Sequence, residues 1–182
     1  MTQFRFFIED VKRMLGKYKA RIVFIWLSRS FWGILLYRIE RSLFLIFGRA
    51  HALIRIIFLP LIYLLRAYSN IDIHYKANIK GGLLILHPSV GVVISGQVSI
   101  GRHLTLTGGN VIGIKESCDH NSFQIGDHCE LGANATIVGP LILGNHIKIG
   151  ASACVVKSED RDNSILVGVP AKRIDPSIAT SE

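Results

Sequence analysis

Two side chains that could act together as a general base and its orienting partner, His87 and Asp72, stand fifteen residues apart in the chain. An imidazole titrates near neutral pH, so it can take a proton from a hydroxyl group that attacks a carbonyl carbon. A carboxylate hydrogen-bonded to the imidazole Nδ1 fixes the tautomer and stabilises the imidazolium that forms. Such a pair works only if the fold brings the two residues together.

A six-residue period from Ile125 to Val156 predicts a fold that can do this. Branched aliphatic residues recur at every sixth position, and small or apolar residues recur four positions later. The first series is Ile125, Leu131, Ile137, Leu143, Ile149 and Val155, and the second is Cys129, Ala135, Leu141, Ile147 and Ala153. This period is typical of a hexapeptide-repeat parallel β-helix, in which three repeats make a triangular coil of about 18 residues. Because fifteen residues is nearly one coil, Asp72 and His87 can meet near one corner.

The same period begins at Ile73 and is interrupted twice. An early run ends at Ile85, and a second run, from Ile94 to Ile112, is offset from it by three residues. The register slips between Leu86 and Val93, beside His87, and such a break in a packed repeat tends to occur where function requires it. The polar stretch 113–124 shows no hexapeptide signal and is predicted to leave the coil as a loop, a common place for ligand contacts.

The charge of the chain divides near residue 70. Residues 1–69 contain twelve Lys and Arg against three acidic residues, a net charge of +9, whereas residues 70–182 contain nine against ten, a net charge of −1. We therefore predict two regions. Residues 1–69 form a basic, apolar helical segment, and residues 70–182 form the β-helix domain with its loop at 113–124.

The helical segment has two compatible interpretations. Its longest uncharged run, 56–65, contains Pro60 and is shorter than the about 20 residues of a membrane span, so we predict no span. The helices either pack on the β-helix and in an oligomer contact, or lie peripherally on an anionic membrane surface. No nucleic-acid-binding motif accompanies the charge, which argues against such a partner. Charged residues at positions 9–13 interrupt any secretory signal, so we expect a cytoplasmic protein, at the inner face of the membrane under the second interpretation.

The region from Ile71 to Ile174 resembles bacterial hexapeptide-repeat acyltransferases, nearest the serine acetyltransferase branch and its sugar and polysaccharide O-acetyltransferase relatives. The resemblance rests on Asp72-Ile-His, Ile85-Leu-His87, the turn Leu106-Thr-Gly-Gly109, the Ile-Gly-Ala repeats and Gly168-Val-Pro-Ala-Lys172. It implies a left-handed parallel β-helix, because the period itself does not give the hand. It also implies a homotrimer with active sites between subunits, and acetyl-CoA as the acyl donor without a metal.

The resemblance also implies roles for individual residues. His87 corresponds to the general base and Asp72 to its orienter, at the family's spacing. Asp119 and His120 in the loop are candidate acceptor contacts, although the alignment there is displaced by two residues. The candidates for acetyl-CoA binding are Gly108, Gly109, Ala133 and Ala151, which would admit the pantetheine arm, and Lys157, Lys172 and Arg173, which would meet the nucleotide phosphates.

The chain departs from the serine branch directly before His87. Serine acetyltransferases carry an aspartate there that helps to hold the amino-acid acceptor, whereas this chain has Leu86. A serine ammonium group would lack its carboxylate partner, while a sugar hydroxyl does not need one. We therefore expect O-acetylation of a sugar or surface polysaccharide precursor, free or lipid-linked. Serine O-acetylation is the alternative.

Two further functions stay open. Zinc lyases of the γ-carbonic anhydrase type use the same coil with three histidine ligands. His128 and His146 are 18 residues apart here, and His103 has the same place in its own hexapeptide. Surface histidines at permissive turn positions are the simpler interpretation, so we expect no metal. The other possibility is a non-catalytic scaffold, for which a His87→Ala variant would behave like the wild type.

Overall fold

The computed structural model describes residues 2–116, 119 and 121–174. The N-terminal region is helical, which confirms the expected helical segment. Its elements are α1 Thr2–Leu15, α2 Arg29–Phe47 and α3 His51–Ser69, with 3-10 turns at Lys19–Val23, Ile25–Leu27 and Gly48–Ala50. Asn70 caps α3 in the left-handed conformation (φ 56°, ψ 32°) and turns the chain directly into the first strand. Asparagine tolerates this conformation better than most residues do.

Short strands then wind into a β-helix with three faces, A, B and C. Face A has the order β1-β4-β7-β10-β13, face B β11-β8-β5-β2, and face C β15-β14-β12-β9-β6-β3. Face A comprises β1 Ile71–Ile73, β4 Val92–Ile94, β7 Asn110–Ile114, β10 Thr136–Gly139 and β13 Cys154–Val155. Face B comprises β2 Asn78–Ile79, β5 Ser99–Ile100, β8 Gln124–Ile125 and β11 Ile142–Leu143. Face C comprises β3 Leu84–Ile85, β6 Thr105–Leu106, β9 Glu130–Leu131, β12 Lys148–Ile149, β14 Ile165–Gly168 and β15 Ala171–Ile174.

The interior of the β-helix is built by stacking like residues on successive coils. Every member of the two apolar series that begin at Ile125 and Cys129 is at most 3% exposed. Ile112 pairs with Ile137, which pairs in turn with Val155, so one aliphatic column runs through three coils. A single coil cannot bury its own interior, and the stack therefore supplies the core. The prediction of a hexapeptide β-helix is confirmed.

The two interruptions of the period appear as extra residues in single coils. Val92 pairs with Asn110 and Thr136 with Cys154, so these coils contain 18 residues. Ile71 pairs with Val92, a separation of 21, and the three extra residues match the three-residue 3-10 turn Pro88–Val90. Val111 pairs with Thr136, a separation of 25, because the polar stretch leaves the coil after β7. That strand ends at Ile114, one residue beyond the predicted start of the loop.

Polar groups attach the helices to the first coil. Arg38 of α2 donates from Nε to Asp10 Oδ2 of α1 at 2.9 Å, and its Nη1 donates to the carbonyl oxygen of Ile79 at 2.6 Å. Asp10 Oδ1 accepts the backbone N–H of Leu83 at 2.7 Å. Burial raises the pKa of the Asp10 carboxyl, and the charge and hydrogen bonds of Arg38 oppose that rise. Ile34 of α2 completes the contact by joining the apolar core of the β-helix.

The helical region Arg29–Ser69 meets a length-and-composition test for a membrane span. An 18-residue window within it has a mean hydropathy of 1.8, and 11% of that window is buried. The expectation of no span was based on the length of uncharged runs. The window used in this test, in contrast, can contain up to two charged residues. Core helices of soluble proteins and signal sequences pass the same test, so this is weak support for a span.

Candidate active site

One corner of the β-helix collects most of the predicted site residues. Each coil passes from face C to face A through this corner, which we call the CA corner. The CA corner holds His87 after β3, Gly108 and Gly109 after β6, Ala133 after β9, and Ala151 after β12. The structure thus brings the predicted base and four predicted acetyl-CoA contacts into one column.

Backbone hydrogen bonds connect the coils along this column. The N–H of His87 donates to the carbonyl oxygen of Thr107 at 2.8 Å. The N–H of Asn134 donates to Gly108 at 2.9 Å, and the N–H of Ser152 donates to Ala133 at 2.8 Å. The backbone groups of the turns are therefore paired with their neighbours, which keeps the column regular.

Glycine is required at two positions of this column because the backbones of neighbouring coils approach each other closely there. Gly108 has φ 141°, and a Cβ at this position would clash with the carbonyl oxygen of His87. A Cβ at Gly132, one residue before Ala133, would lie 2.6 Å from the backbone nitrogen of Ala151. The packing of one coil on the next therefore requires glycine at both positions.

The helical segment holds the turn that carries His87. Ser30 of α2 donates its hydroxyl to the carbonyl oxygen of Ile85 at 2.8 Å, two residues before the histidine. The side-chain amide of Asn70 donates to the carbonyl oxygen of Ser89 at 3.0 Å, two residues after it. The His87 side chain itself is exposed. The register slip therefore places an accessible imidazole on a backbone segment that is held by hydrogen bonds both before and after His87.

Asp72 lies on β1, opposite Val93 of β4, and its side chain is 56% exposed. Its Oδ1 accepts from Nη1 of Arg66 at 2.6 Å, and Nη2 of the same arginine bonds Glu40 Oε2 at 3.2 Å. Within the described part of the chain, no hydrogen bond or ion pair joins Asp72 to the His87 imidazole. The orienting role of Asp72 stays a prediction, and its partner in this structure is Arg66.

A groove of about 380 Å³ runs beside the CA corner. The C-terminal turns of α3 form one wall through Tyr63 and Arg66, and Asp72 lies on the floor. Gly91 and Gly109 line the side toward the corner. The groove therefore joins the predicted orienter to the column of small residues. Sequence reasoning missed Arg66, because nothing in its spacing distinguishes it from the other arginines of the segment.

A second missed residue, Asn110, supports the turn at the CA corner from inside. It is fully buried, and its Oδ1 accepts the N–H of Gly108 at 2.9 Å. Its Nδ2 donates to the carbonyl oxygens of Gly132 at 2.7 Å and of Ala135 at 3.3 Å. The sequence held a signal, since this asparagine occupies the inward position that Leu104 takes in the preceding repeat.

The remaining predicted site residues lie away from this corner. Lys157 is exposed and follows β13, where the chain leaves face A. Lys172 and Arg173 are exposed on β15, which pairs antiparallel with β14 at the edge of face C. Asp119 is exposed in the loop, and its carbonyl oxygen accepts the N–H of Ser122 at 2.9 Å. His120 lies outside the described residues, and all these assignments stay predictions.

The three histidines considered as zinc ligands stack at another corner, between faces B and C. The ring centroids of His103 and His128 are 4.7 Å apart, and those of His128 and His146 are 4.8 Å apart. All three residues have positive φ, between 56° and 60°, and Asn163 takes the same conformation one coil later with φ 59°. Histidine and asparagine are enriched at such positions, which explains the column as turn residues. Among the residues that the structure describes, no group of three or more His, Cys, Asp and Glu could hold a metal ion.

Comparison with known proteins shows similarity to serine acetyltransferases, both in sequence and in structure. No protein-family model matches the chain. Serine acetyltransferase 5 of Arabidopsis thaliana is 40% identical over 74 residues, which is 38% of this chain and 22% of that protein. The chain thus spans about a fifth of this curated relative.

Solved structures match over almost the whole chain. The serine acetyltransferase of Neisseria gonorrhoeae matches with a TM-score of 0.76 and 26% identity, covering 95% of this chain and 66% of that one. Its complex with serine matches with a TM-score of 0.72 and 29% identity, covering 93% and 68%. The Brucella abortus serine acetyltransferase in complex with coenzyme A has a TM-score of 0.72 at 22% identity, covering 94% and 67%. The chain therefore has the fold of the hexapeptide-repeat acyltransferases, a left-handed β-helix with an N-terminal helical segment, and its structural neighbours are serine acetyltransferases.

Proposed function

We propose that this protein transfers an acetyl group from acetyl-CoA to a hydroxyl group of an acceptor molecule. The observation that carries the proposal is the CA corner, where an exposed imidazole lies at one end of a column of glycine and alanine turns. Structural neighbours with the same fold act on serine or have been crystallised with coenzyme A, which supports the donor class. By the same resemblance we propose a cytoplasmic homotrimer.

The residues of the corner suggest a direct transfer. His87 takes the proton of the acceptor hydroxyl as its oxygen attacks the thioester carbonyl carbon. The carbon–sulfur bond then breaks, and the protonated imidazole returns its proton to the leaving thiolate of coenzyme A. Asp72 would stabilise the imidazolium from Nδ1, which requires its carboxylate to turn from Arg66 toward the histidine. Small residues at Gly108, Ala133 and Ala151 would admit the pantetheine arm.

Serine is the first candidate acceptor, because the relatives found by sequence and by structure are serine acetyltransferases. A carbohydrate hydroxyl is the second, and one observation favours it. Leu86, directly before His87, is 49% exposed and offers no carboxylate to a substrate ammonium group. A sugar on a lipid or nucleotide carrier, or within a polysaccharide precursor, would not need that partner. Asp119 and His120 remain candidates for contact with either acceptor.

The test is thiol release from acetyl-CoA in the presence of L-serine or of a panel of sugars and glycans. We expect His87→Ala to reduce turnover by at least about 100-fold, since general base catalysis contributes that much or more. Thermal unfolding should be unchanged because the side chain is exposed. His128→Asn is the matched control, because it replaces another exposed histidine of the β-helix with a residue that tolerates positive φ.

Each outcome of this assay assigns the acceptor or rejects the proposal. Turnover with serine that depends on His87 identifies a serine O-acetyltransferase. Turnover with a sugar alone identifies the carbohydrate acceptor. Full activity in His87→Ala would reject the assigned base, and absence of turnover with every hydroxyl acceptor would favour a non-catalytic scaffold.

A further inference from the structure

The outward face of α3 is apolar along its whole length. Eight large hydrophobic side chains of this helix are at least 44% exposed, which is unusual for one helix of a soluble protein. They are Leu53, Ile56, Ile57, Phe58, Leu61, Tyr63, Leu64 and Tyr68. We call them the α3 outer face. The helix packs against α2 on its opposite side, and within the described chain each of these eight side chains keeps 44% or more of its surface exposed.

The charged residues of α3 point away from the outer face. Arg55 Nε bonds Glu40 Oε1 of α2 at 2.8 Å, and Arg66 Nη2 bonds Glu40 Oε2 at 3.2 Å. Glu40 is buried, with a side-chain exposure of 4%. The side of the helix that meets α2 therefore carries both arginines among apolar residues such as Ile62, whereas the side that meets solvent is apolar throughout. Charged side chains are costly inside the hydrocarbon region, so the two arginines and Glu40 favour a helix that lies at the membrane surface over one that spans the bilayer.

Aromatic residues extend the outer face at the C-terminal end of α3. The Tyr68 hydroxyl donates to the carbonyl oxygen of Leu27 at 3.3 Å, which joins α3 to the 3-10 turn Ile25–Leu27. Trp26 in this turn is 56% exposed, and Arg29 lies over the Tyr68 ring at 5.9 Å from the centroid. Tyrosine and tryptophan are the residues enriched where apolar and aqueous phases meet.

The exposed charged side chains within the described residues 2–69 have a single sign. All three acidic residues of the segment bond to arginines: Asp10 to Arg38, Glu40 to Arg55 and Arg66, and Glu9 to Arg102. The exposed charged side chains that the structure describes in residues 2–69 are all basic. They are Arg5, Lys12, Lys17, Arg21, Arg29 and Arg49. Arg49 lies just before α3 and Arg29 beside its other end, so positive charge is present near both ends of the face.

We propose that the α3 outer face lies in the headgroup region of an anionic phospholipid bilayer. The apolar side chains would be buried at the boundary with the acyl chains, and the flanking arginines would meet lipid phosphates. A second copy of the chain in a two-fold contact is the less favourable occupant, because such a self-complementary contact would bring two surfaces of like charge together. This interaction is independent of the proposed transferase activity.

The experiment uses the full-length protein with vesicles of phosphatidylcholine alone or mixed with phosphatidylglycerol, in a flotation assay. We expect binding to the mixed vesicles that weakens as salt rises. The double variant Ile57→Gln, Leu64→Gln should bind at least about tenfold more weakly, because two apolar contacts with the bilayer are lost. Arg29→Gln and Arg49→Gln should each weaken binding by about fivefold and leave binding less sensitive to salt. Ile142→Gln, an exposed isoleucine on face B, is the control and should bind like the wild type.

Three results would overturn the proposal. The first is equal or absent binding to both kinds of vesicle. The second is an oligomer, measured by light scattering, that dissociates in the Ile57→Gln, Leu64→Gln variant, because the face would then be buried between copies. The third is a protein that resists alkaline carbonate extraction from membranes, because the helix would then span the bilayer. Turnover of a soluble acceptor is measured for the Ile57→Gln, Leu64→Gln variant and for His87→Ala. This measurement tests the proposed transferase activity separately from the proposed membrane binding.

Discussion

Hydrophobic side chains are distributed oppositely in the helical segment and the β-helix. Of 30 buried hydrophobic residues in the described chain, 26 lie in the β-helix and four in the helices. Of 27 exposed large hydrophobic residues, 20 lie in the helical segment and seven in the β-helix. The β-helix thus hides its apolar residues by stacking its own coils, whereas the helices leave most of theirs on the outside.

The buried polar residues show how the helical segment is held. Seven of the nine buried polar or charged residues in the described chain lie in it. These are Gln3, Asp10, Ser30, Arg38, Glu40, His51 and Ser69. Several of them bond to backbone groups of the first coil, as Arg38 does to the carbonyl oxygen of Ile79. The β-helix is therefore stabilised mainly by apolar packing, whereas the helical segment is attached to it mainly by directional polar contacts.

The largest effect should follow from breaking the polar attachment. Arg38→Met leaves the Asp10 carboxylate buried without its cation, and we expect a loss of about 3–5 kcal/mol in the free energy of unfolding. The double variant Arg38→Met, Asp10→Asn should recover much of this loss, because asparagine is neutral and still accepts the N–H of Leu83. Urea denaturation measures both. Equal losses in the single and double variants would show that the buried charge is not the cause.

A matched pair of isoleucines tests the apolar side of the comparison. Ile137 in the β-helix is 0% exposed and Ile57 on α3 is 76% exposed. Ile137→Ala should cost about 2–5 kcal/mol, because it leaves a cavity in the stack. Ile57→Ala should change the free energy of unfolding by less than about 0.5 kcal/mol. A comparable loss at Ile57 in the isolated protein, measured in the same urea experiment, would mean that α3 is covered by another copy.

The smallest effect concerns the stacked histidines. Burial lowers the pKa of His103, with further lowering by the charges of Arg13, His128 and Arg102 and an opposing effect of Glu9. The unfolded chain then binds a proton more readily than the folded chain as pH falls through about 6.5, so stability decreases with acidification. His103→Asn keeps a residue that tolerates positive φ and removes the titrating group. The drop in melting temperature from about pH 7 to about pH 5 should be smaller in this variant, and an unchanged drop would assign the acid sensitivity elsewhere.

The β-helix could be predicted because its determinants are local and periodic. The series from Ile125 and from Cys129 mark interior positions, and the offset of three residues after Ile85 corresponds to the extra turn Pro88–Val90. Asn110 could be singled out in the same way, because it is a polar residue at an inward position that the period assigns to apolar residues.

The polar attachment and the environment of Asp72 could not be predicted in the same way. Asp10 and Arg38 are 28 residues apart on different helices, and their separate backbone partners, Leu83 and Ile79, lie on the first coil of the β-helix. Arg66 is one of twelve basic residues in a segment without regular spacing of charge. Pairings of this kind depend on how the helices dock, and no sequence period encodes that. The arginine beside the predicted orienter was therefore found only in three dimensions.

One helix links the outer surface of the protein to the groove. The same α3 that carries the outer face also lines the groove through Tyr63 and Arg66, and its cap, Asn70, holds the turn after His87. The helix has 19 residues, a length of about 28 Å. If the helix rests on a bilayer, the groove that the same helix lines is held next to that bilayer, and an acceptor anchored there is presented to the groove without leaving its lipid. A freely diffusing amino acid would gain no advantage from this placement.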